Sequence, residues 1–138
     1  MRLSITTVVG IVGSAIASML GGWDMALHTL LLMMGMDIIT GWVAAAVFRK
    51  SKKTATGALS SAAGFRGLVK KGVCLLFVVV GYTLDRLFGT EFVRLAVIFT
   101  FTANELISVI ENAGCMGIKL PPVLCHALDV LTRKENKL

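Results

Sequence analysis

The chain reads as four long apolar stretches separated by short polar breaks: residues 3–22, 25–48, 72–88 and 92–113. Each approaches the roughly 17–25 residues a helix needs to cross the hydrocarbon core of a bilayer, and the third gains length if Leu68 and Val69 are added. The breaks Gly21-Gly22-Trp23-Asp24 and Phe88-Gly89-Thr90-Glu91 are tight, contain glycine and carry no Lys or Arg, so each joins two neighbouring runs as a helical hairpin. The pattern predicts an all-α integral membrane protein with four transmembrane helices in two antiparallel hairpins. A loop over 49–71 separates the hairpins and a tail over 114–138 follows them, in a single domain.

Composition strengthens this picture. Of 138 residues, 56% are hydrophobic and 16% charged, against roughly 45–50% and 25% in an ordinary soluble domain. A soluble domain of this size has too much surface to hide so large an apolar fraction. The net charge of +6, from 14 Lys and Arg against 8 Asp and Glu, would on a soluble chain suggest a nucleic-acid partner. Here the basic residues lie between the apolar runs. Arg49, Lys50, Lys52, Lys53, Arg66, Lys70 and Lys71 crowd the middle loop, which has no acidic residue, while Lys119, Arg133, Lys134 and Lys137 occupy the tail and Arg2 the other terminus. The positive-inside rule places all three segments in the cytoplasm, with both termini inside, and leaves Asp24 and Glu91 on the opposite face. Topology thus accounts for the charge, and nucleic acid drops out as a partner. The first run is long, follows a lone Arg2 and has only a weak cleavage-site mimic at Ser14-Ala15-Ile16-Ala17, so it is expected to stay in the protein rather than act as a signal peptide.

The middle loop is rich in Ala, Gly, Ser and Thr and lacks the phosphate-loop pattern of glycines followed by Lys and Ser or Thr. Its basic residues make it a candidate small-residue helix lying on the anionic inner leaflet, with all seven of its Lys and Arg as anchors. In the tail, Pro121-Pro122 pre-sets a helix start, and Val123, Leu124, Ala127, Leu128 and Leu131 recur on one face with Asp129, Thr132 and Arg133 on another. This predicts an amphipathic cytoplasmic helix, serving either as an anchor or as a docking element between subunits.

Within the membrane, close packing by small residues matters more than it does in water. Gly10, Ser14, Ser18 and Gly22 repeat every four residues in the first run, beside Gly13, Ala17 and Gly21. The smooth face they make packs against either the second span or another subunit. Asp37 follows Asp24 by thirteen residues and Glu105 follows Glu91 by fourteen, which puts both carboxyls about 20 Å in from one edge of the bilayer core. Charges at that depth require pairing, hydration or protonation, and Lys70 and Lys71 are the nearest bases. Around Glu105, the residues Asn104, Ser108, Glu111 and Asn112 make a polar side, read either as a seam inside the unit or as the lining of an aqueous path in an assembly. Asp85 and Arg94 flank the outer turn at matching depth and are expected to form an ion pair.

No catalytic constellation is present. His28 and His126 are far apart in sequence, and no Ser/His/Asp arrangement occurs. Cys74, Cys115 and Cys125 are odd in number and unsuited to a disulfide framework, and no spacing suits a metal. No cofactor is expected.

Three segments together resemble the phage lysis holins of the toxin-secretion and phage-lysis type, found in Gram-positive phages and beside some clostridial toxin genes. They are Asp37-Ile38-Ile39-Thr40-Gly41, the basic loop through Gly64-Phe65-Arg66-Gly67 to Lys70-Lys71, and Asn104-Glu105-Leu106-Ile107-Ser108-Val109-Ile110-Glu111-Asn112. The last leads into a glycine-containing turn, the two prolines and a basic helical tail. The resemblance runs from about Met25 to the C-terminus. It implies a non-enzymatic multi-pass protein of the bacterial inner membrane that forms a homo-oligomer. The assembly opens a large non-specific pore through which an endolysin or a toxin passes as cargo, causing host-cell lysis. An antiholin is a further partner in this family, although Met19 is the one internal methionine of the first run and no second start of the kind that makes such an inhibitor is visible. A small four-span proton-coupled multidrug exporter is the alternative, and a passive membrane scaffold a third reading.

Overall fold

The computed structural model describes residues 4–135. Arg2, Leu3 and Lys137 lie outside the described residues, as do the side chains of Leu131, Thr132 and Lys134. Among the described residues the chain is helical and has no strand: α1 (Ile5–Met19), α2 (Met25–Ala46), α3 (Ser61–Phe88), α4 (Val93–Cys115) and α5 (Pro122–Glu135).

Local chemistry sets these boundaries. The hydroxyl of Ser4 accepts from the amide of Thr7 and opens α1, and Gly21 and Gly22, at φ 90° and 93°, turn the chain away after it. Side chains with a backbone at such angles are strained, so glycine belongs there. Asp24 caps α2 by accepting from the amide of Leu27 at 2.9 Å, and Ser60 caps α3 through the amide of Ala63. Gly89, left-handed at φ 69°, ends α3. No side chain of its own neighbourhood caps α4; the carboxylate of Asp85, near the end of α3, accepts the amides of Val93 and Arg94 at 3.0 and 2.9 Å instead.

Among the described residues, three helices, α2, α3 and α4, are long and apolar enough to cross a membrane. The first run yields only 15 helical residues, about 22 Å of helix against a core of about 30 Å, because Ser4 and the glycine pair bracket it. The third helix is longer than the run 72–88: α3 has 28 residues, or about 42 Å. The small residues from Ser61 to Gly67 continue it rather than forming a separate surface helix, so the middle loop ends at Ser60. The tail is helical after the proline pair, with Pro122 in the first turn.

Packing centres on α4, which lies against both α2 and α3. Leu27, Leu30 and Met34 of α2 meet Val78 of α3 and Ile98 of α4, with Leu20 added from the turn after α1. Gly81 of α3 allows a close approach to α4, since a β-carbon there would stand 3.0 Å from the Cα of Arg94. α1 itself has no buried residue, so the core is made by α2, α3 and α4 with Leu20 from the turn. Most of the remaining large side chains, including Ile39, Val69, Leu76, Phe77 and Phe99, are exposed. That inverted pattern suits a solvent of lipid tails and agrees with a mean hydropathy of +0.82.

Two outcomes check this architecture. In a protein whose Cys74, Cys115 and Cys125 are replaced by Ala, a membrane-impermeant maleimide should reach Lys52→Cys and Asp129→Cys from one face of a vesicle and Glu91→Cys from the other. Labelling of all three from one face would contradict the crossing of α2, α3 and α4. Gly81→Ala should lower stability in detergent by about 1–3 kcal/mol, the usual cost of overpacking a tight contact.

Candidate functional site

Asp37 stands in the middle of α2 and is 4% exposed, a burial that an ionised carboxylate tolerates only with partners. It has four. Lys71 of α3 donates to its Oδ2 at 2.8 Å and also to Oε2 of Glu105 on α4, so one ammonium bridges carboxylates from two other helices. Lys53, from the loop, reaches the two oxygens of Asp37 at 3.3 and 3.4 Å. Asn112 of α4 donates to Asp37 Oδ1 at 3.0 Å and to the hydroxyl of Thr40 at 3.0 Å. Two acids and two lysines balance, and no buried side-chain nitrogen or oxygen among the described residues lacks a partner.

The helix pattern explains this convergence. Glu105 and Asn112 are seven residues apart, two turns on one face of α4, and that face also carries Arg94, Ile98 and Phe101 toward the core. Lys53 arrives because the loop folds back: the amide of Ser51 donates to the carbonyl of Gly57, which has φ 73°, and the amide of Lys53 donates to the hydroxyl of Ser51.

The expected polar seam therefore divides. Asp37, Glu105 and Asn112 come together; Ser108 is half-buried beside them, without a role in the ion pairs. Asn104 and Glu111 lie on a different stripe of α4 and are exposed. Of the expected anchors, Arg49, Lys50, Lys52, Arg66 and Lys70 are exposed, whereas Lys53 and Lys71 turn to Asp37. In α1, Gly10, Gly13, Ser14 and Ser18 are exposed and Ala17 half-buried. A β-carbon at Gly10 or Gly13 would meet nothing within 4 Å.

At the opposite end of the helices the expected ion pair between Asp85 and Arg94 is corrected. The Arg94 guanidinium pairs with Asp24, at 2.6 and 3.4 Å, and donates to the carbonyls of Leu20 and Gly22. Asp85 is already occupied by the amides that begin α4 and by the hydroxyl of Thr90 at 2.6 Å. It meets Arg94 through the backbone only. The hydrogen bond from Arg94 holds the Asp24 carboxyl below the usual carboxylate range. Equal spacing around a turn pointed to the wrong acid because the amides of α4 compete for Asp85. Neither Lys53 nor the link from Asp24 to Arg94 had a local sequence signal, each being a contact between distant segments.

No group of acidic, His or Cys side chains among the described residues is arranged to hold a metal. What the cluster does is tie three helices together through charge in a region where water is scarce.

Compared with known proteins, residues 14–133 match the model of the bacteriophage holin family. The chain is 36% identical over 125 residues to an uncharacterized 14.9 kDa protein in the nagH 3' region of Clostridium perfringens, covering 89% of each chain. It is 34% identical over 125 residues to an uncharacterized protein of Listeria innocua, covering 90% of this chain and 84% of that one. A probable holin of Bacillus phage phi105 is 30% identical over 112 residues, covering 80% of this chain and 77% of that one. No solved structure matches.

Two predictions concern the ion pairs. Lys71→Met should destabilise the protein in detergent by about 3–5 kcal/mol by stranding two buried carboxylates, whereas Lys71→Met combined with Asp37→Asn and Glu105→Gln should recover most of that loss; equal loss in both proteins would contradict the ionic role. At the other end, a carboxyl whose folded affinity for protons is lowered stabilises above its unfolded titration range, and that contribution fades as pH falls through the folded value. Acid melts of the native protein and Asp24→Asn should therefore converge at low pH and diverge near neutrality, with Asn the less stable.

Proposed function

The chain belongs to the bacteriophage holin family, and we propose that it acts as a holin in the bacterial inner membrane. Copies gather laterally and open a non-specific lesion through which a folded cell-wall hydrolase or a toxin passes. No bond is made or broken by the protein in this reading. The match to the family over residues 14–133 is the observation that carries it, and a phage relative named as a probable holin adds support.

The physical side of the proposal starts from what a single copy leaves uncovered. Small residues on α1 let another backbone come close, and close van der Waals packing is what drives helix association in lipid. Asn104 and Glu111 are exposed on α4, where contact with lipid tails is costly. Assembly covers or hydrates them. The Asp37 cluster, satisfied within one copy, makes insertion of a monomer tolerable and holds α4 in a fixed rotation, so that its polar stripe faces outward. In this reading the basic loop and the C-terminal tail face the cytoplasm, the side that an excess of Lys and Arg favours. A proton-coupled exporter is less well supported, because its carboxylate must be free to load and unload, and Asp37 and Glu105 share the ammonium of Lys71.

Expression together with a cytoplasmic wall hydrolase that lacks its own export signal tests the function. Abrupt loss of culture turbidity is the expected result, and leakage of folded protein-sized dextrans from reconstituted liposomes should accompany it. Resistance to toxic cations without lysis would favour the exporter. Gly13→Leu with Ala17→Leu should delay or abolish lysis while leaving the amount of inserted protein unchanged; unaltered lysis timing would remove α1 from the packing role.

A further inference from the structure

α4 joins α2 and α3, but the seam between α2 and α3 stays open at the basic end of the molecule. A cavity of about 380 Å³ lies there, within the range of small-molecule sites. Its floor is the ion pair of Asp37 with Lys71, its apolar wall is Ile38, Trp42 and Leu68, and Lys53 stands on its loop side. Gly64 and Gly67 of α3 line it, and β-carbons there would meet nothing within 4 Å.

The position in the bilayer identifies the occupant. Counted back from Phe88, about 20 residues of α3 fill a 30 Å core, so the residues from Ser61 to Leu68 run through the headgroup layer. The cavity thus spans the boundary between headgroups and acyl chains. The side chain of Lys53 is 49% exposed and holds Asp37 only at long distances, and no acidic residue stands in the first turn of α3. Arg49, Lys50 and Lys52 add positive charge from the adjoining loop. An apolar slot with a cationic rim at this depth matches one molecule with an anionic head and a hydrocarbon chain.

We propose that this cavity is a binding site for an anionic phospholipid. The phosphate sits by Lys53, and one acyl chain lies along Trp42 and Leu68 beside Gly64 and Gly67. The bound lipid completes the seam between α2 and α3 and fastens the loop to α3. This inference rests on the chain crossing a membrane and is independent of lesion formation.

Trp42 lies on the cavity wall and is one of only two tryptophans, so Trp23→Phe leaves it as the sole reporter. The full-length Trp23→Phe protein is reconstituted in phosphatidylcholine vesicles containing a small fraction of lipid brominated on its acyl chains, either phosphatidylglycerol or phosphatidylcholine. Phosphatidylglycerol should quench Trp42 with about fivefold preference, the effect of roughly one basic side chain at the membrane surface. Gly64→Leu with Gly67→Leu fills the void on open helix surface and should bring the preference near unity. Lys53→Gln, which removes the cation and keeps the glycines of α3, should reduce it by a similar factor, so the result does not hang on one variant. Equal quenching by both lipids would overturn the proposal, as would a preference that survives both variants. Failure of either lipid to quench would mean that a protein segment covers the cavity. Loss of quenching on adding glycerol phosphate to the buffer would mean that a soluble phosphate, rather than a lipid, is bound. Culture lysis is not part of the readout, so this result and the test of function can fail separately.

Discussion

One ammonium shared between two carboxylates governs the arrangement of the membrane-crossing helices. Taking any of these charges out of water singly is costly, and only their mutual neutralisation makes the site tolerable. Since Asp37, Lys71 and Glu105 come from α2, α3 and α4 respectively, none of these helices can rotate or slide without stranding a charge. Apolar side chains would not impose this: in a lipid solvent, a Leu facing a neighbouring helix and a Leu facing acyl chains differ little in energy. Polar pairing supplies the specificity that hydrophobic burial supplies in water.

The two ends of the bundle are built differently. At the acidic end, Arg94 ties the turn after α1 to α4 and Asp85 caps α4 from α3, so every connection is short and stapled by backbone hydrogen bonds. At the basic end, the loop is held by Lys53 and by its own glycine turn, and α2 and α3 part around a cavity. The backbone-anchored turns stand at one end of the bundle and the cavity at the other.

The outer surface carries the second message. Lipid-facing residues are mostly large and apolar, yet α1 presents glycine and serine, and α4 presents Asn104 and Glu111. The internal cluster uses up the polar face of α4 that includes Glu105 and Asn112, which leaves the neighbouring stripe for whatever lies outside the monomer. Membership of a family of lysis proteins and an uncovered polar stripe point the same way, toward a molecule whose finished state contains more than one copy.

Much of this was legible along the chain. Apolar run lengths located α2 and α4 to within a few residues, and the charge distribution separated one end of the molecule from the other. Asp37 and Glu105 were recognisable as residues at a common depth in need of a base, since position along a helix converts directly to height in a bilayer. Lys71 was on the short roll of candidates because its stem starts in the same layer. Rotation about each helix axis was not legible: Asn104 and Glu105 are adjacent in sequence, and only packing against α2 decided that Glu105 turns in and Asn104 out. The partner of Arg94 was misread for the same reason, because the amides at the start of α4 claim Asp85 and leave the guanidinium to Asp24, a residue seventy positions away. Sequence alone locates α2 and α4 and the spacing of the polar residues along them, because those follow from local composition and a fixed rise per residue. Tertiary structure settles which charge answers which, because that depends on competition among groups that distant parts of the chain bring within reach.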